Sequence, residues 1–171
     1  MSNIIDDVAA FTKAVGCTTD EYNVRQIGLY IGLELEEMAE QLAEIINDKY
    51  LISSLVEASN QFKSGFWDDE ISEADRTKLL HESADLAWVT IGAMLSMGAD
   101  VKGTMGELAR ANMSKLHKCP DCNFDIKNPD TYFYCETCKG TGFVCKKDEN
   151  GKVIKPDSFK KADMSEFVCQ K

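Results

Sequence analysis

The sequence predicts an all-α protein, a bundle of four to five helices with a small cysteine-rich insertion near its C-terminal end. Three observations predict it. Apolar residues recur at helical spacing through most of residues 1–116. Residues 117–146 break that pattern with two Cys-x-x-Cys pairs. No run of about 18 apolar residues occurs, so no membrane span is expected.

The helices follow in order. Ile4, Ile5, Val8, Phe11 and Val15 define a first helix over 3–15, with Ser2 as its N-cap and Gly16 as its stop. Thr18-Thr19-Asp20-Glu21 reads as the start of a second, running to Ile46 or Asp48, with Ile27, Tyr30, Ile31, Leu33 and Leu42 inward. Residues 50–63 form a third through Leu51, Ile52, Leu55, Val56, Ala58 and Phe62, and residues 63–69 a loop. Ser72 with Asp75 opens a helix continuing to Met97, where Gly98 ends it. Asp100 caps the last helix, whose apolar face holds Val101, Met105, Leu108, Met113 and Leu116.

Charge divides the chain. Residues 1–116 hold 9 Lys+Arg against 20 Asp+Glu, and residues 117–171 hold 10 against 9. An acidic helical part suits a small nucleotide arriving with a divalent cation better than bare nucleic acid. The amino terminus lacks the basic and apolar regions of a signal peptide, and the chain reads as cytoplasmic. Seven cysteines, an odd number, point to a reducing compartment and a metal rather than a disulfide framework.

Cys119-Pro120-Asp121-Cys122 and, twelve residues later, Cys135-Glu136-Thr137-Cys138 have the spacing of a structural zinc site. Each Cys-x-x-Cys knuckle aims two thiolates at one ion, and four thiolates leave no open coordination position. Tyr132-Phe133-Tyr134 and Gly142-Phe143-Val144 read as the strands of a ribbon, with His117 as linker. Redox dithiol and iron–sulfur alternatives lack the strand–helix setting of a thioredoxin-like site.

Two pairs of carboxylates carry the other chemical signal. Glu37 and Glu40 are three residues apart, as are Glu82 and Asp85, so each pair shares a helix face. The face of the second pair continues through Val89, Gly92, Ala93 and Ser96, which reads as an inward, close-packing stripe. Carboxylates turned inward repel unless a cation lies between them, and oxygen donors select Mg²⁺ or Mn²⁺. The opposing reading leaves both pairs as solvated helix surface, the commoner fate of such pairs on an acidic chain.

The Glu36-Glu37-x-x-Glu40 element, followed by Glu82-x-x-Asp85, resembles the all-α nucleoside triphosphate pyrophosphohydrolases, the MazG-like family. Asn112-Met113-Ser114-Lys115, then Gly151-Lys152-Val153-Ile154-Lys155-Pro156, is similar to an element of many phage and bacterial MazG-like proteins. The resemblance covers roughly residues 20–116 and 147–157. The 41 residues between Glu40 and Glu82 exceed the usual family spacing, and the family pattern lacks the cysteine-rich insertion. Taken with the Cys-x-x-Cys spacing, the resemblance divides the chain into three parts: a bundle over 1–116, an inserted zinc ribbon over 117–146, and a return segment over 147–171 with phosphate-binding lysines.

It also implies Mg²⁺- or Mn²⁺-dependent hydrolysis of an NTP or dNTP to the monophosphate and pyrophosphate, with a purine dNTP such as dGTP among the candidates. Glu37, Glu40, Glu82 and Asp85 match the metal ligands, Glu36 positions or deprotonates the water, and Asn112, Lys115, Lys152 and Lys155 face the phosphates. Trp67, Phe66 and Tyr30 are candidates to stack on the base. The family expectation is a homodimer or homotetramer; composition and charge add a cytoplasmic setting (the host's, for a phage protein), no membrane, and a poor match to nucleic acid. The rival is a non-catalytic helical adaptor whose ribbon docks protein or nucleic acid.

Overall fold

A computed structural model describes residues 3–122, 135–147 and 153–168. Among these the chain is mostly helical, with six α-helices and one two-stranded ribbon. The helices are α1 (Ile4–Ala14), α2 (Val24–Ala43), α3 (Lys49–Ser64), α4 (Asp68–Glu73), α5 (Arg76–Ser96) and α6 (Val101–Met113). The strands are β1 (His117–Lys118) and β2 (Phe143–Val144). None of these helices is long and apolar enough to cross a membrane. The chain forms two compact units, residues 20–84 and residues 1–19 with 85–171, and the division falls within α5.

Capping side chains set the helix starts, and they move several expected boundaries. Asn3 caps α1, its side chain accepting from Ile5 N–H; Ser2, the expected cap, lies outside the described residues. Residues 18–21 are not helical. Asn23 accepts from Gln26 N–H at 3.0 Å and starts α2 there, satisfying one of the orphan donors of the first turn. Asp48 takes the N–H groups of Tyr50 and Leu51 at the head of α3. The loop expected over 63–69 is instead a left-handed cap at Gly65 (φ +86°) followed directly by α4. Ser72 does not cap α5: its hydroxyl donates to Asp69 O inside α4, and Asp75 accepts from Thr77 and Lys78 instead.

The unit of residues 20–84 is built on close contact between α2 and α3. The expected inward stripe of α2 is only partly right, since Leu33 and Tyr30 are exposed and the buried positions are Gly28, Gly32 and Ala39. A Cβ on Gly32 would lie 2.6 Å from Lys63 Cγ and 2.8 Å from Ser59 O, so only glycine permits this approach. The fully buried Ser59 hydroxyl donates to Gly32 O at 2.7 Å. Gly28 gives similar access to α4, where Ile71 is buried. Tyr22 fastens the extended entry to α2 by donating to Ile71 O at 2.9 Å, and the Arg76 guanidinium lies 3.7 Å over its ring.

In the other unit α1 packs on α6, with Thr12, Ala111 and Leu116 buried. Asp100 caps α6 as expected, accepting from Gly103 N–H at 3.1 Å. A C-terminal segment returns along α6. Arg110 donates to Lys161 O at 3.1 Å, Asp163 N–H donates to Glu107 at 3.0 Å, and Asp100 N–H donates to Phe167 O at 2.9 Å. Phe167 occupies the space a side chain on Gly103 would need.

Candidate metal centre

The cysteine-rich insertion begins where α6 ends. Leu116, buried, anchors the exit, and β1 pairs antiparallel with β2, His117 opposite Val144 and Lys118 opposite Phe143. His117 is therefore a strand residue rather than the expected linker, and its Nε2 lies 3.0 Å from Ile154 O. The expected strand at 132–134 lies outside the described residues.

This ladder holds the two knuckles together. Cys119 N–H donates to Gly142 O at 2.9 Å, and Gly142 N–H points at Cys138 Sγ, 3.3 Å away. After Cys138 the chain turns through Lys139 (φ +50°) and Gly140 (φ +82°), a reversal that presents backbone N–H groups to the sulfur. Asp121 accepts from Thr137 at 2.5 Å, a further tie between the knuckles.

The four sulfurs lie within 4.8 Å of one another. Cys119 and Cys135 are 3.7 Å apart, Cys122 and Cys138 3.5 Å. Disulfides need about 2.05 Å, and these thiols are free. A tetrahedron of sulfurs about 2.3 Å from a zinc ion has edges of about 3.8 Å, so the spacing fits a four-thiolate site. Cys119 and Cys138 are buried. Burial pushes the Cys119 thiol up. It also acts against ionisation of Cys138, but hydrogen bonds from Gly142 and Gly140 and from Cys122 and Cys135 bring that thiol down to about 7. The cluster can bind a metal such as zinc, and four thiolates would fill the positions of a tetrahedral ion.

The acidic residues are arranged differently. Glu37 and Glu40 lie on α2 and Glu82 and Asp85 on α5, each pair within regular helix, and all four side chains are exposed. Glu36, half-buried, forms an ion pair with Lys63 at 3.1 Å. Among the described residues the cysteines are the one group of three or more metal-capable side chains gathered at metal-binding distance. The stripe of Val89, Gly92, Ala93 and Ser96 does not look inward: α5 buries no residue, and a Cβ at Gly92 would meet nothing within 4 Å. The small residues follow the spacing of a packing face, but no other described residue covers it.

Of the phosphate candidates, Lys115 and Asn112 are joined, Nζ donating to Oδ1 at 2.7 Å across one helical turn. Lys155 Nζ stacks 4.4 Å over the Phe159 ring, and Lys152 lies outside the described residues. Trp67 is half-buried in an aromatic group with Phe66 edge-on at 4.9 Å and Phe62 at 6.1 Å. Sequence reading missed Asp68, whose buried Oδ1 has no hydrogen-bond partner among the described residues. It also missed Glu34, which burial pushes toward the neutral form. Acidic residues beside Gly28 and within the Glu-rich turn of α2 carried no spacing signal that separated them from solvated neighbours. Comparison with protein-family models, with curated proteins and with solved structures finds no match to this chain.

Proposed function

We propose that the protein is a Mg²⁺-dependent nucleoside triphosphate pyrophosphohydrolase of MazG-like architecture, cleaving an NTP or dNTP to the monophosphate and pyrophosphate. The observation carrying this reading is that α2 and α5 each present two carboxylates three residues apart on unbroken helix, as the sequence resemblance requires. The donor set is all carboxylate, which suits a hard cation and not zinc. Among the described residues, Glu37, Glu40 and Glu82 have no cationic side-chain partner. When bound, Mg²⁺ neutralises phosphate charge and lowers the pKa of a coordinated water.

The chain's own residues then take these roles. Glu37, Glu40, Glu82 and Asp85 hold the ion. Glu36, already bound to Lys63, orients the attacking water rather than abstracting its proton. Lys115, its ammonium fixed by Asn112, faces the β and γ phosphates with Lys152 and Lys155. The ribbon braces the return segment that carries the last two. On this reading the helices belong to one bundle in a cytoplasmic protein, and nucleic acid is not a partner. Incubation with each NTP and dNTP in Mg²⁺, followed by a pyrophosphate assay, tests it; release from none of them overturns it.

A second reading is favoured by one observation, the openness of the acidic pairs and of α5. It is a helical adaptor whose cysteine ribbon docks another macromolecule. The same panel separates the two.

A further inference from the structure

Among the described residues, Lys63 is the one cation ion-paired to an acid of the Glu36-Glu37-x-x-Glu40 element. The fold builds that pair. Helices α2 and α3 run antiparallel, with Gly28 against the Phe62 carbonyl and Gly32 against that of Ser59. Helical side chains lean toward the N-terminus of their own helix, so Glu36 and Lys63 lean toward each other and toward Gly32. The missing side chain at Gly32 leaves a notch that the Lys63 stem fills: a Cβ there would lie 2.6 Å from Lys63 Cγ. Nζ then stands 3.1 Å from Glu36 Oε2, with the lysine side chain only 23% exposed. Arg25 donates to the Phe62 and Lys63 carbonyls and holds this end of α3 against α2. Two free side chains at a surface gain little by pairing, but this lysine is seated by its stem before it meets the carboxylate.

We infer that Lys63 is a positioning residue of the proposed pyrophosphohydrolase site, withholding Glu36 from the divalent ion and keeping it for the attacking water. The inference rests on that functional reading. Glu36, Glu37 and Glu40 fall within about one turn of α2, so all three carboxylates are within reach of one hard cation. An ion held by all three would keep fewer positions for water and phosphate. The ammonium occupies Glu36 and leaves Glu37 and Glu40, which have no cationic side-chain partner among the described residues, as the ion holders of α2. Helix α3 lies in the long interval between Glu40 and Glu82, so the family resemblance itself gives Lys63 no role.

The test uses the full chain with zinc in its ribbon. Lys63→Met keeps a stem in the Gly32 notch and removes the charge. Calorimetric titration with Mn²⁺, without nucleotide, should show affinity rising about three- to tenfold as Glu36 joins the ligands. The gain should vanish in Lys63→Met combined with Glu36→Gln, and Lys63→Arg should keep the wild-type affinity. In the Mg²⁺-dependent pyrophosphate assay, kcat of Lys63→Met should fall about ten- to a hundredfold with KM little changed.

A lysine that only supports packing would lower the melting temperature and leave the Mn²⁺ affinity where it was. Unchanged affinity in Lys63→Met therefore overturns the inference, as does a gain that persists in the double variant. Wild-type protein that releases no pyrophosphate from any nucleotide overturns the functional reading and this inference with it. Where wild type turns over and Lys63→Met turns over equally, only the inference falls. Should Lys63→Met fail to fold, Lys63→Gln is read in the same way.

Discussion

The two acid-bearing helices and the cysteine ribbon are both read from sequence as metal sites, yet they reach the folded chain in different conditions. The ribbon is closed. Four sulfurs separated by as many as nineteen residues converge within 4.8 Å, and backbone N–H groups already face Cys138. The carboxylates of α2 and α5 stand exposed on two separate helices. A knuckle site is made by turn geometry over a few residues, so local sequence specifies it. A site shared by two helices depends on how those helices pack, and packing is a property of the whole molecule.

Breaking the ribbon should have the largest effect. Cys138→Ser, or strong chelation, should release about one zinc ion per chain, read by elemental analysis. Structural zinc contributes about 10–16 kcal/mol in small metal-folded domains, far more than this ribbon's core can supply. The β1–β2 pairing should be lost with it, seen as rapid amide exchange at Cys119. Retention of that protection in metal-free protein would show that the ladder stands without an ion.

The acidic helices should respond in the opposite manner. Glu82→Ala or Asp85→Ala should abolish Mg²⁺-dependent pyrophosphate release and leave the helical circular dichroism unchanged, because neither residue supports packing in the chain. Pyrophosphate release persisting in both variants would remove these residues from the mechanism.

How far the sequence could be read follows the same division. Asp100, Gly98 and the Cys-x-x-Cys pairs were legible because each acts on its immediate neighbours. The start of α2 was not. Thr18 has a capping residue's chemistry, but Asn23 supplies the cap, and Tyr22 is tied to Ile71, 49 residues away. The α2 core face was obscured because Gly28 and Gly32 carry no hydrophobic signal, although they make its closest contacts. The small-residue stripe of α5 was read as buried from pattern alone, and pattern does not say which surface does the burying.

Gly32→Ala tests the packing that brings α2 against α3. The new methyl must displace Lys63 and the Ser59 carbonyl, at a cost of about 1–3 kcal/mol. The melting temperature should fall by several degrees, with zinc content unchanged. Loss of zinc in this variant would mean that the two regions are coupled after all.

The smallest effect concerns the return segment alone. Glu107 accepts from the Arg110 side chain, at 2.6 and 2.7 Å, and from Asp163 N–H, and these bonds hold its carboxyl at about 2 instead of the ordinary 4.5. A carboxyl lowered in the folded state binds its proton less readily there than in the unfolded chain. Its contribution is therefore complete above pH 4.5 and disappears as pH falls toward 2. Because the Arg110 end of the pair is exposed to solvent, salt should weaken it as well. Amide exchange at Asp163 should accelerate as the pH drops through that window, beyond the intrinsic pH trend, and Glu107→Gln should remove the dependence. An Asp163 amide equally protected in Glu107→Gln would show that the segment is held by the Asp100–Phe167 bond and the packing at Gly103 instead.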